Sequence, residues 1–156
     1  MNTLENFRDF LAFDYWANDL ILQALKNSSH SNEKAVQIFG HLLLAEYEWF
    51  RRMTGEHSDS TNFNFWSVET VVDCEKLFYE NRRNYENLFS ELTEENLDST
   101  ATYKNSKGLE FTNTWREILS HVFFHSAQHR GQIIQTIRAN AETPPYIDFI
   151  GFLRQK

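Results

Sequence analysis

The sequence predicts an all-α protein: a four-helix bundle with a longer crossover that carries a short hairpin or extended segment before the last helix. Three observations predict it. Apolar residues recur at three- and four-residue steps through four long stretches. Only two prolines and five glycines interrupt 156 residues, which favours long helices over a strand-rich fold. One stretch alone, 98 to 112, is rich in strand formers around a turn signal. The length fits a single domain, 1–156, with no internal repeat or linker, and 14 phenylalanines and four tryptophans supply core material and aromatic cavity walls.

The first helix is expected from about Thr3 to Lys26, with Leu4, Phe7, Leu11, Leu22 and Leu25 on its apolar stripe. Asn27-Ser28-Ser29-His30-Ser31 is a break rich in capping residues, where the second helix begins. That helix carries Ala35, Ile38, Leu42, Ala45 and Trp49 on one face and stops at Gly55, a residue suited to a left-handed cap. Residues 56 to 66 read as a polar loop. Ser67 is expected to cap a third helix that runs through Val71, Phe78, Tyr85 and Phe89 to about Leu92. Asn105-Ser106-Lys107-Gly108 is the turn signal inside 98 to 112. Thr114-Trp-Arg-Glu117 is a capping box that opens the fourth helix, expected to reach about Asn140. Pro144-Pro145 ends any helix, and Tyr146 to Leu153 is an apolar tail expected to dock on the bundle.

Charge and composition exclude several roles. A net charge of -7 without a basic patch argues against nucleic-acid binding and against docking on an anionic membrane. No apolar run approaches the about 20 residues needed to span a bilayer, and the N-terminal residues do not read as a signal peptide. The single cysteine, Cys74, forms no internal disulfide and fits a reducing compartment, so a cytoplasmic protein is expected. Cys74 reads as a core residue, and His30 and His57 as solvated loop residues.

The chemistry is concentrated where the stripes turn polar. Asp14 and Asn18 sit at the centre of the first stripe, where burial without partners costs about 1–3 kcal/mol each. On the fourth helix the stripe is Ile118, His121, His125, His129, Gln132, Thr136, and on the second His41 lies between Ile38 and Ala45. A lone buried histidine is most often a hydrogen-bonded core residue. A ridge of three beside Val122, Phe123 and Ile133, with polar residues facing it from two other helices, points instead to a divalent metal site inside the bundle. Ridge residues four apart are about 6 Å apart along the axis and those eight apart about 12 Å, too far for one ion. One of His121 and His129 is therefore left out, and spacing alone does not choose. The Glu-x-x-His pairs of di-iron carboxylate bundles are missing.

Three segments together resemble the DinB/YfiT-like family: Asp14-Tyr-Trp-Ala-Asn18, Gly40-His41-Leu-Leu-Leu-Ala-Glu-Tyr-Glu-Trp49, and His121-Val-Phe-Phe-His125-Ser-Ala-Gln-His129-Arg130-Gly131-Gln132. The segment Pro-Pro-Tyr-Ile-Asp-Phe near the end is also similar to the family's, and the resemblance runs the length of the chain. It implies a four-helix bundle, often a homodimer, with a three-histidine divalent metal site. Carried over residue by residue, the ligands are His41, His125 and His129, and His121 becomes a pocket-wall or substrate-contact residue. Some relatives transfer low-molecular-weight thiols such as bacillithiol or mycothiol, and one group isomerises maleylpyruvate.

Three neutral imidazoles leave a divalent ion with open positions, which suits catalysis on a small molecule. The ion is expected to be zinc, nickel or iron, since imidazole suits them alike. Thiol S-transfer with a low-molecular-weight thiol as cosubstrate is the favoured reaction. The alternatives are a metal-dependent hydrolase and a non-catalytic metal-binding stress-response module. Asp14 is the candidate general base, or an acceptor orienting a ligand histidine. Asn18 and Gln132 are candidate substrate or water contacts.

Overall fold

A computed structural model describes residues 3–29 and 31–155. Four long helices dominate it: α1 (Thr3–Lys26), α2 (Glu33–Thr54), α3 (Val71–Glu91) and α4 (Trp115–Ala139). A 3-10 turn (Glu95–Asp98) leads into a hairpin of β1 (Thr100–Lys104) and β2 (Glu110–Thr114), and a short helix α5 (Phe149–Leu153) follows the prolines. The architecture is the one the periodicity predicts, hairpin included. No helix of the described residues is long and apolar enough to cross a membrane.

The helix ends follow from local chemistry. Gly55 closes α2 at φ 80°, a left-handed conformation that costs glycine little. Thr114 and Glu117 form the capping box of α4: the Thr114 hydroxyl accepts from the Glu117 backbone N–H at 3.2 Å and the Glu117 carboxylate accepts from the Thr114 N–H at 2.9 Å. The third helix corrects the expectation. Its cap is Thr70, whose hydroxyl accepts from the Asp73 N–H at 3.1 Å, while the Ser67 N–H is tied into the preceding turn through Asn64 O at 3.3 Å. Both residues are good caps, and the fold decides between them through the turn that begins at Asn64.

β1 and β2 pair antiparallel with Tyr103 opposite Phe111, and Gly108 supplies the turn at φ 75°. Ala101 and Tyr103 face inward. The loop after α2 runs alongside β1: the Lys104 N–H donates to Ser58 O at 2.7 Å and the Ser60 N–H to Lys104 O at 3.1 Å. What read as a free polar loop is thus fastened to the hairpin. At the other edge α5 docks on α1 through aromatic rings, Phe13 meeting Phe149 at 5.1 Å and Phe152 at 5.8 Å, with Trp16 at 5.6 Å from Phe152.

The apolar interior is divided in two. One cluster gathers Ile21, Leu22, Phe39, Leu43, Phe78 and Ile133, and the other gathers Phe7, Leu11, Phe50, Tyr85, Leu119 and Val122. Between them every long helix contributes a buried polar residue: Asp14 and Asn18, Glu46, Asn81, Ser126 and Arg130. Arg130 donates to the Asp14 carboxylate and, at 2.9 Å, to Asn18 Oδ1. Glu46 Oε1 accepts from Asn18 Nδ2 at 3.1 Å and from the Ser126 hydroxyl at 2.8 Å. Two carboxyl groups share this layer with one guanidinium. Burial, and then the neighbouring Asp14 charge, push the Glu46 carboxyl well above the usual carboxylate range. The neutral form of Glu46 is thereby favoured, which lessens the net charge of the layer.

A stability profile follows. The folded protein keeps the Glu46 proton while the unfolded chain releases it above about pH 4.5, so Glu46 stabilises the fold at low pH and that stability declines as pH rises toward the raised value. Glu46→Gln mimics the neutral acid. It is expected to fold, to lie within about 1 kcal/mol of wild type at acid pH, and to lose this decline. Urea midpoints across pH read the difference, and an unchanged slope in the variant contradicts a protonated Glu46.

Candidate metal centre

His41 projects from the middle of α2, and His125 and His129 from adjacent turns of α4. One ring nitrogen from each lies within 4.8 Å of the others, and all three rings are half-buried. The His125 and His129 Nε2 atoms are 3.1 Å apart. Two nitrogens on one tetrahedral ion, each bonded at about 2.0–2.1 Å, sit about 3.3 Å apart. The α4 pair is already at ligand spacing, and the donor set, three imidazoles on two helices, fits a divalent ion of the zinc type.

The outer faces of the rings are also fixed. His41 Nδ1 lies 3.0 Å from the Phe65 carbonyl oxygen, which only accepts, so Nδ1 carries the proton and Nε2 keeps its lone pair. His129 Nδ1 lies 2.8 Å from Gln132 Oε1, with the same consequence for its Nε2. Gln132 thus touches the site through a ligand candidate, as an orienting partner. The Trp66 ring stacks on His41 at 4.0 Å and 8°. Burial, then the nearby His129 and His41 rings, push His125 down to about 3, so it stays neutral and available as a ligand across ordinary pH. Burial also lowers His41.

Gly40, next to His41, is required by the loop. A Cβ there would collide with the Val68 carbonyl oxygen, so only glycine lets the 56–70 segment lie on α2 and bring Phe65 and Trp66 to the imidazole.

His121 is exposed and outside the cluster. Its ring lies 5.5 Å from His125 and edge-on to Trp49 at 5.0 Å, in the wall of a separate cavity of about 280 Å³ with Tyr103 and Asn113. A second cavity, of about 230 Å³, opens onto His41 and His125 and is lined by Ala45, Trp49, Arg52, Phe65, Asn105 and Ser106.

Asp14 and Asn18 are placed elsewhere. Both are buried in the polar layer, Asp14 at 3% exposure, and their hydrogen bonds go to Arg130, Glu46 and each other, none to an imidazole. In this structure the Asp14 carboxylate is enclosed and paired with Arg130, where it ties α1 to α4. His57 is corrected as well. Its Nδ1 is bonded to Glu48, a carboxylate with no exposure, which also accepts from Ser60 at 2.8 Å and Arg51 at 3.2 Å. His30 lies outside the described residues. Cys74 is buried as expected, and burial pushes its thiol up to about 12, far from a reactive thiolate.

The reading of the sequence missed Glu46, Glu48, Arg52 and Arg130. A signal was present for Glu46: Phe39, Leu43, Glu46, Phe50 and Met53 form a three-four stripe with one acid at its centre. Arg130 falls in the same way on the stripe Val122, Ser126, Arg130, Ile133, Ile137.

Two outcomes are expected. Alanine at His41, His125 or His129 should each lower divalent-metal affinity by at least about tenfold, while His121→Ala retains it; equilibrium dialysis with elemental analysis decides, and equal loss in His121→Ala contradicts the assignment. Chelation should leave the far-UV signal and a cooperative melt intact, because the polar layer and both apolar clusters are independent of the imidazoles; loss of helical signal on chelation would make the ion structural.

A search of the curated proteins returns no match. The family model that matches is that of the DinB family, over residues 11–156, which takes in α1 from Leu11 onward, the other three long helices and α5. That match covers most of the chain, and the chain belongs to the DinB family.

Proposed function

We propose that the protein is a metal-dependent enzyme that acts on small molecules by thiol S-transfer, with His41, His125 and His129 holding a divalent ion. The observation that carries this reading is a cluster of three imidazoles, two of which, His41 and His125, open onto a cavity with no carboxylate among its lining residues. A divalent ion bound there supplies the positive charge that lowers the pKa of a thiol or a water.

The missing carboxylate separates the two chemistries. Hydrolysis by a metal-held water draws on a protein base, as the glutamate does in the zinc proteases. The walls beside His41 and His125 offer aromatic rings, a guanidinium, an amide and a hydroxyl, and Asp14 is locked to Arg130. A thiol needs less help, because its free pKa of about 8.5 is already near neutrality. In the transfer the sulfur forms a bond to an electrophilic carbon, the leaving group departs with its bonding pair, and the thiol proton passes to solvent. Phe65 and Gln132 hold the His41 and His129 rings in position, and Trp49 and Phe65 narrow the cavity against water.

The test is an assay of metal-loaded protein with glutathione, bacillithiol, coenzyme A and cysteine against chlorodinitrobenzene and monochlorobimane, alongside ester and amide substrates. Metal-dependent conjugation with at least one thiol is expected, rising with pH below about 8.5 and lost in His125→Ala. Hydrolysis without conjugation would replace the reading with a hydrolase. Metal binding without turnover would replace it with a binding module.

A further inference from the structure

The cavity beside the imidazoles contains a cation with no ion-pair partner among the described residues. Arg52, about three turns after His41 on α2, is 4% exposed. Its Nε and Nη2 donate to the Ser60 hydroxyl at 3.0 and 2.9 Å, and Nη1 is engaged in neither bond. Ser60 in turn donates to Glu48, so a hydroxyl stands between guanidinium and acid. Glu48 is already bonded to Arg51 and His57, and no carboxylate of the described residues lies within ion-pair distance of Arg52. Two guanidinium groups therefore share one buried acid, which leaves a surplus positive charge at the cavity.

The surroundings favour an anion that arrives from outside. Arg52 is held by aromatic faces, Trp49 at 4.4 Å and Tyr103 at 4.8 Å, which support a cation without neutralising it. It lines the same cavity of about 230 Å³ as His41 and His125, with Asn105 and Ser106 on the opposing hairpin turn. A buried guanidinium without a carboxylate gains most from a planar oxyanion that meets its fork, and carboxylate has that shape.

We propose that Arg52 docks a carboxylate of the small thiol that occupies this cavity, so that the substrate class is a thiol that also bears a carboxylate. This rests on the S-transfer reading for the sulfur end, and on Arg52 alone for the carboxylate end. Arg52 sets which thiol is accepted, and the imidazole cluster sets what happens to its sulfur.

The test titrates cobalt(II)-loaded protein with 3-mercaptopropionate, 2-mercaptoethanol and cysteamine, reading the visible spectrum of the metal. The acid is expected to bind at least about tenfold more tightly than the neutral thiol, with the amine weakest. Arg52→Met should abolish the preference and Arg52→Lys keep part of it, each checked by its melt. A second arm needs neither metal nor a foldable variant: propionate added to metal-free wild type should shift the Arg52 Nε–H resonance saturably, and propanol should not. Equal affinity for the three thiols, a preference that survives Arg52→Met, or no saturable shift with propionate overturns the proposal. Should no thiol change the cobalt spectrum, the S-transfer reading fails, and the propionate titration by itself decides whether Arg52 is a carboxylate site.

Discussion

The buried Asp14–Arg130 pair, with Glu46 and Asn18 around it, is the interaction on which the rest of the structure depends. An ion pair taken out of water is weak evidence of stability in itself, but losing one partner costs about 3–5 kcal/mol because a bare charge stays behind. The pair therefore fixes geometry more than it adds stability. It joins α1 to α4, and Ser126 to Glu46 joins α4 to α2. Ser126 and Arg130 each follow a site histidine by one residue, about 100° further round the helix. Holding these two residues inward sets the rotation of α4, and that rotation turns His125 and His129 toward His41. The layer and the imidazole cluster are two faces of one helix setting.

This coupling explains why much of the site was legible in the sequence and some of it was misread. A residue that breaks an apolar stripe must be buried and must have partners, so Asp14, Asn18 and the histidines all stood out. Periodicity says that a side chain points inward; it does not say which of the inward groups it meets. The core of this bundle holds two polar assemblies, one ionic and one of imidazoles, and one-dimensional spacing merged them. Spacing places Asp14 inward as a candidate base or histidine acceptor, and in the structure its hydrogen-bond partners are Arg130 and Asn18. Arg130 lies in the His-Arg-Gly-Gln run beside His129, and spacing along that run does not distinguish a residue aimed at the imidazoles from one aimed at Asp14.

The fold was more legible than the loops, for a related reason. Helix starts and stops depend on a few local atoms, and Gly55 and the Thr114–Glu117 box behave as their residue types dictate. Ser67 and Thr70 are locally equivalent caps, and a turn hydrogen bond from outside the helix separates them. The 56–66 segment is polar in composition, yet it is fastened at Lys104 by backbone bonds and at Glu48 through His57 and Ser60. No local pattern announces a carboxylate with no exposure two residues after another buried one. Glu48 is buried because the loop closes over it, and the loop closes because Glu48 gives its polar groups somewhere to bond.

That mutual dependence divides the labour of the site. The three imidazoles stand on the long helices, whose positions the polar layer fixes, so the imidazole cluster is the part anchored in the bundle core. The wall of the cavity is built otherwise: Phe65 comes from the loop, Asn105 and Ser106 from the hairpin turn, and Arg52 is tied to both through Ser60 and Tyr103. Substitutions in the loop and turn can reshape what the cavity accepts without touching the layer that aims the histidines. Gly40 is the exception, since the loop reaches His41 only by passing where a Cβ would be. In this arrangement a bundle can keep one imidazole cluster while the cavity beside it is rewritten on irregular segments, with Gly40 as the point where the two must still agree.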